Sequence, residues 1–100
     1  MKIAIDFDGV ICKRVGIPTV METDDIPVEG ALHAIELFLK MKYHIWVFTS
    51  NPNLKEVEKW LRENGFPELK VTNIKEPAHV YIDDRAVRFT NWQDIRKYFA

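Results

Sequence analysis

Two pairs of carboxylates follow short apolar runs that lie far apart in the chain. Asp6 and Asp8 end one β-branched run, and Asp83 and Asp84 end another. On a strand, residues two apart point to the same side and lie about 6 to 7 Å apart. Crowded carboxylates repel one another, and a divalent cation relieves the repulsion. Hard oxygen ligands without nearby Cys or His favour Mg²⁺ over Zn²⁺, and such Mg²⁺ commonly shares its shell with waters and a substrate phosphate.

The four acids can act together only if the elements that carry them are neighbours. Apolar patterns predict strands at 2–7, 43–48, 69–72 and 79–82, and helices at 28–41, 53–64 and 92–99. Alternating strands and helices predict a parallel sheet with helices on both faces, and ligands bind beyond the carboxyl ends of its strands. Three strand ends are thereby selected, at residues 6–8, 49–51 and 83–85.

These acids also have simpler structural explanations. Asp8-Gly9 is a common turn signal, and Asp84 with Arg85 could form a surface pair. For any single acid this explanation is at least as good as a functional one. Four acids at two strand ends favour a shared site.

The arrangement Asp6-Phe7-Asp8-Gly9-Val10 after an apolar strand resembles the first motif of the haloacid dehalogenase-like superfamily. Further along the chain, residues 46–49 resemble the second motif, Lys75 the third-motif lysine and residues 80–84 the fourth motif. The resemblance covers the whole chain. It implies an α/β, three-layer Rossmann-like fold in one domain, 1–100, with a parallel sheet of about four strands.

The resemblance also implies a role for each acid. Asp6 is the nucleophile and forms an aspartyl-phosphate. Asp8 protonates the leaving group and then activates water. Mg²⁺ is held by Asp6, the backbone carbonyl of Asp8 and Asp83, while Asp84 orients the water shell of the metal. The dehalogenase branch lacks the second Asp, so phosphatase or phosphotransferase chemistry is implied.

The remaining site residues bind the phosphate. The resemblance implies that Thr49 and the backbone after it, at Ser50, bind the phosphoryl oxygens, and that Lys75 neutralises their charge. Gly9 lets the backbone come close to the ligand. Glu76 follows Lys75 and would add negative charge if it pointed inward, so Lys70 is the alternative site lysine.

A Mg²⁺-dependent phosphomonoester hydrolase is the predicted function. One alternative is a non-catalytic module on the same scaffold that binds a phospho-ligand or a protein. Another is a phosphatase of nucleic-acid or nucleotide ends, which needs a nearby basic patch. The sequence offers these cations for it: Lys13, Arg14, Arg85 and Arg88. A response-regulator receiver is discounted, because the strand that should end in its phosphorylated Asp ends at Phe48-Thr49.

Length and charge limit the remaining possibilities. The 100 residues suffice for one core and, read with the motifs, leave no room for an inserted cap. We therefore expect an open site that takes a large phosphorylated substrate or is covered by a second subunit. A net charge of −1 argues against nucleic-acid or membrane binding by bulk charge, although a local patch is compatible with it.

Other segments carry weaker predictions. Lone Cys12 is expected to be a buried apolar residue, and the absence of a signal-like N-terminal segment predicts a cytoplasmic location. Residues 11–26 are predicted to form a long connection that gates the site, with a short hairpin around 15–20. The helix at 28–41 is expected to be deeply buried. Trp46, Trp60 and Trp92 are expected in the core.

Overall fold

The computed structural model describes residues 1–13 and 25–99. The chain forms these elements in order: β1 (Lys2–Asp6), β2 (Cys12–Lys13), β3 (Ile26–Pro27), α1 (Ala31–Lys40), β4 (His44–Phe48), α2 (Leu54–Glu63), β5 (Lys70–Thr72), β6 (Val80–Ile82) and α3 (Trp92–Tyr98). The predicted strands and helices are confirmed, with bounds that agree to within three residues. The hairpin predicted around 15–20 and most of the predicted gating segment lie outside the described residues.

Four strands form one parallel sheet in the order β5-β4-β1-β6. The central strand β1 pairs with β4, placing Asp6 beside Phe48, and with β6, placing Ile5 beside Ile82. The strands of the sheet that come first and last along the chain, β1 and β6, are therefore neighbours, as the shared acid site requires. The short strands β2 and β3 pair separately and antiparallel.

The main core lies on one face of the sheet. Alternate residues of the central strands, such as Ile3 and Val47, are buried in the same cluster as Ile35 of α1 and Trp60 of α2. Because alternate strand residues point to one side, α1 and α2 pack on the same face. Each fully buried aliphatic side chain contributes about 1.5 to 3 kcal/mol, so this cluster holds the sheet and two helices together.

Local sequence signals explain the bounds of α2. The side chain of Asn53 accepts a hydrogen bond from the Glu56 backbone N–H at 3.2 Å and caps the helix start. The apolar spacing that follows buries Val57, Trp60 and Leu61. The helix ends before Gly65, whose φ of +79° suits a chain reversal.

Two helices are less buried than the sequence predicts. In α1 only Ile35 is fully buried and Leu37 is 47% exposed, because the helix packs on the sheet by one side. The described α3 contributes no buried residue, and Trp92, expected in the core, is exposed. Trp46, Trp60 and Cys12 are buried as expected.

The sheet, its strand order and three helices establish a small α/β fold in which no cap domain is distinguishable among the described residues. None of the helices in that part of the chain combines the length and apolar character that a membrane crossing needs.

Candidate active site

Three of the predicted acids meet where β1 and β6 end. The carboxylate oxygens of Asp6, Asp83 and Asp84 all lie within 4.8 Å of one another. Pairing of Ile5 with Ile82 brings Asp83, one residue further along, beside Asp6. The prediction that acids from two distant strands meet at one sheet edge is therefore confirmed. We call these three residues the acid cluster.

The acid cluster concentrates negative charge. Burial, then the charges of Asp83, Asp8 and Asp84, raise the pKa of Asp6 from 3.8 to about 7. A hydrogen bond from the Phe7 backbone N–H lowers that pKa only in part. A carboxyl group in this position releases its proton readily only when positive charge approaches.

The donor set of the acid cluster fits a hard divalent cation. The three side chains offer carboxylate oxygens from positions close enough to share one ion. Oxygen-only sites of this kind favour Mg²⁺ over the softer transition metals. Burial and the neighbouring carboxylates raise the pKa of Asp6, and a bound cation would favour its ionised form.

Gly9 is required for Asp84 to reach the cluster. Gly9 has a φ of +82°, and a Cβ at this position would lie 2.3 Å from Oδ2 of Asp84. The sequence predicts that Gly9 allows a close approach to a ligand, and the structure shows such an approach to the Asp84 carboxylate. On the neighbouring residue, Asp83 Oδ1 accepts a hydrogen bond of 2.7 Å from the Arg85 backbone N–H.

Asp8 lies outside the three-residue acid cluster and contacts the residue that follows β4. The buried hydroxyl of Thr49 donates to Asp8 Oδ2 at 3.3 Å. The same hydroxyl oxygen accepts a hydrogen bond of 3.1 Å from the Asn51 backbone N–H. Asp8 and Thr49, both predicted from the sequence, are thus brought together. Ser50, predicted to bind phosphate through its backbone, is exposed and follows directly.

Asn51 also belongs to this network, although no role was predicted for it beyond its place at the strand end 49–51. Its side chain is 1% exposed, and Oδ1 accepts a 2.9 Å hydrogen bond from the Asn53 backbone N–H. Its Nδ2 is buried without a hydrogen-bond partner. The contacts join Asp8, through Thr49 and Asn51, to the capped start of α2. Asn51 could have been noticed as a polar residue two positions after Thr49, next to a helix cap.

The two candidate lysines have different partners. Lys70 Nζ forms a 2.7 Å ion pair with Glu76. Lys75 Nζ lies 5.0 Å from the centre of the Tyr81 ring. The Tyr81 hydroxyl donates to the backbone carbonyl of Glu76, so Tyr81 contacts both Lys75 and the residue after it. Neither lysine takes part in the contacts that join the acid cluster or bind Asp8 to Thr49.

The surroundings leave the acids accessible. Asp83 and Asp84 are exposed and Asp6 is partly buried. A separate cavity of about 570 Å³ lies between α2 and residues 66–70, and none of the acids lines it. The candidate site is therefore an open sheet edge.

No protein-family model, no curated protein and no solved structure matches this chain. Function is therefore inferred from the chemistry of the site's own residues.

Proposed function

We propose that the protein is a Mg²⁺-dependent phosphomonoester hydrolase that forms an aspartyl-phosphate on Asp6. The observation that carries the proposal is the convergence of Asp83 and Asp84 on Asp6, within 4.8 Å, with Asp8 oriented by a hydrogen bond from Thr49. The four motifs that resemble the haloacid dehalogenase-like superfamily support membership in it. A Rossmann-like fold is part of the same proposal, but the predicted third layer is not formed by the described helices, because α1 and α2 share one face of the sheet and α3 buries no residue.

Asp6, Asp83 and Asp84 would hold the Mg²⁺, with the backbone carbonyl of Asp8 as a further oxygen ligand. When bound, the ion offsets the negative charge of the carboxylates and of the substrate phosphate. Asp84 reaches this position because Gly9 has no side chain.

Asp6 and Asp8 divide the chemistry between them. The ionised Asp6 carboxylate attacks phosphorus, the bond to the leaving oxygen breaks, and Asp8 gives its proton to that oxygen. Asp8 then takes a proton from water, and the water oxygen attacks the phosphorus of the aspartyl-phosphate. Inorganic phosphate leaves and Asp6 is regenerated as a carboxylate.

The contact with Thr49 explains how Asp8 can serve in both steps. Thr49 donates to Asp8 Oδ2 and so orients the carboxyl group that would transfer the proton. A module that only bound a cation would have little need for a fourth acid, Asp8, oriented by Thr49 outside the three residues of the acid cluster. This favours the hydrolase over the non-catalytic alternative.

Lys75 is the proposed phosphate-binding lysine. Glu76 forms an ion pair with Lys70. The pair offsets the negative charge that Glu76 would otherwise add beside Lys75, and it occupies the ammonium group of Lys70. From its position on Tyr81, two residues before Asp83, Lys75 approaches the phosphate together with the backbone after Thr49. The open site would either take a large phosphorylated substrate or be covered by a second copy of the chain.

The proposal is tested by measuring phosphate release from a panel of phosphomonoesters, with Mg²⁺ and with EDTA. We expect Asp6→Asn to abolish turnover and Asp8→Asn to reduce it by about 10² to 10⁴-fold, the usual contribution of a general acid–base. Glu63→Gln is the matched control, because Glu63 is an exposed acid paired only with Lys59 on the surface of α2.

Two results would contradict the proposal. Equal turnover by the wild-type protein and Asp6→Asn would exclude Asp6 as the nucleophile. An inactive wild-type protein that still binds Mg²⁺ would favour the non-catalytic module.

A further inference from the structure

The chain directly after the acid cluster exposes large aromatic side chains. We call residues 85–99 the aromatic–basic segment. Its exposed fractions are Phe89 59%, Trp92 71%, Tyr98 69% and Phe99 74%. Phe89 packs edge-on against Trp92 at 5.4 Å between ring centres, and Tyr98 does the same with Phe99 at 5.2 Å. No described residue of α3 is buried, so these rings are not part of the core.

The same segment concentrates positive charge. It contains four cations and one acid, whereas residues 1–84 contain ten cations and fourteen acids. The chain as a whole is nearly neutral, but this segment has a formal charge of +3. The cations are Arg85, Arg88, Arg96 and Lys97.

The single acid of the segment is occupied at the start of α3. Asp94 accepts hydrogen bonds from the Thr90 hydroxyl at 2.9 Å and from Asn91 Nδ2 at 3.0 Å. Its charge therefore stabilises the amino end of the helix. Arg88, Arg96 and Lys97 are exposed and leave the surface positive.

Exposed rings interleaved with cations match the chemistry of single-stranded nucleic acid. Unpaired bases stack on aromatic side chains, and backbone phosphates are attracted to Arg and Lys. A second copy of this chain docked through the same segment would set like charges against each other. Aromatic side chains with nearby cations also bind at bilayer interfaces, so a membrane surface is the competing occupant that the test below must exclude.

We propose that the aromatic–basic segment binds single-stranded nucleic acid and leads its terminal phosphate to the acid cluster. Phe89 follows Asp84 by five residues, a span of at most about 18 Å, so a short oligonucleotide can touch both residues. The second half of this inference rests on the proposed function and specifies its substrate class as a polynucleotide end. Binding of the nucleic acid by the aromatic–basic segment does not depend on catalysis.

Tryptophan fluorescence provides a direct test of binding. Trp46 and Trp60 are buried, so Trp92 is the tryptophan that a base can reach. We expect unphosphorylated oligo(dT) or oligo(U) to quench the emission of the wild-type protein. Trp92→Phe should lose the quenching but keep affinity, measured by anisotropy of a labelled strand. Trp92→Ala should bind about five- to hundredfold more weakly.

Charge is tested separately. Arg96→Gln should weaken binding and reduce its salt dependence, whereas Lys59→Gln, an exposed cation on α2, should change neither. Asp6→Asn should bind strands as the wild type does. The absence of wild-type binding at low salt would overturn the proposal, as would equal binding by Trp92→Ala. A dimer or vesicle contact made through Trp92 in place of strand binding would also overturn it.

The substrate class is tested with 5′- and 3′-phosphorylated oligo(dT) beside a small phosphomonoester. Trp92→Ala should raise KM for a phosphorylated strand and leave hydrolysis of the small ester unchanged. Equal effects on both substrates would reject the polynucleotide end as substrate. A protein that binds strands but hydrolyses neither substrate would contradict the proposed function while leaving the binding surface supported.

Discussion

At the scale of single residues, the position of the Asp84 carboxylate depends on a missing side chain. Gly9 combines a left-handed backbone with a space that Asp84 fills, since a Cβ there would lie 2.3 Å from Asp84 Oδ2. Gly65 has a similar φ of +79° but has nothing within 4 Å of its Cβ position. A substitution at Gly65 therefore measures the strain of the backbone conformation alone, whereas one at Gly9 also measures the cost of displacing Asp84.

We expect Gly65→Ala to cost about 1 to 2 kcal/mol of unfolding free energy, the usual strain of a left-handed residue. Gly9→Ala should cost more and should also weaken Mg²⁺ binding by about 10 to 100-fold, because it moves a metal-supporting acid. Urea denaturation with and without Mg²⁺ measures both effects. If both variants keep the same response to Mg²⁺, Asp84 does not support the metal.

At the scale of elements, α2 and α3 begin in the same way and differ in packing. Each has an Asn cap whose side chain accepts a backbone N–H three residues on, at 3.2 Å for Asn53 and 2.9 Å for Asn91. α2 buries Val57, Trp60 and Leu61, whereas the described α3 buries nothing. A helix as short as α3 has little stability without tertiary packing.

We expect Asn53→Ala to lower the global unfolding free energy by about 1 kcal/mol, the typical value for a lost cap. Asn91→Ala should leave the global value unchanged, because α3 can open while the core stays folded. Chemical denaturation measures the first effect, and hydrogen exchange at 95–98 should show faster opening for the second. A comparable global loss from Asn91→Ala would show that α3 packs on the core.

At the scale of the whole molecule, the acid cluster opposes folding in the absence of a cation. The folded state holds the Asp6 proton more tightly than the unfolded state, since its pKa is about 7 against 3.8. Stability is therefore greatest below about pH 4 for this group and is lost as pH rises through 7.

We expect the metal-free protein to lose about 1 to 2 kcal/mol from Asp6 between pH 4 and pH 8, a range that allows for screening of this half-buried group by solvent. If Mg²⁺ binds the acid cluster of the folded state as proposed, it should restore stability at pH 8. Asp6→Asn, compared in the same urea titrations, should remove this part of the pH dependence. An unchanged pH profile in Asp6→Asn would mean that Asp6 titrates normally.

How far the sequence could predict the structure depended on the type of interaction. Apolar runs and the geometry of parallel sheets were enough to predict that Asp6 and Asp83 lie close together. The choice between Lys70 and Lys75 needed the ion pair with Glu76, which depends on side-chain orientation in a loop. The spacing of Trp92 suggested an inward face, but periodicity alone does not show whether another element lies opposite.

The pairing of β1 with β6 has a consequence for the order of folding. Ile3 pairs with Val80, so the edge that carries the acid cluster is closed by residues nearly eighty positions apart. Pairings this distant in sequence form late, because a long loop must be closed before any contact rewards it. β1, β4 and β5 pair over shorter separations, with Lys2 beside His44 and Trp46 beside Lys70, so β6 is expected to join the sheet last. If the acid cluster binds Mg²⁺ as proposed, binding of the ion would report that this last strand is in place.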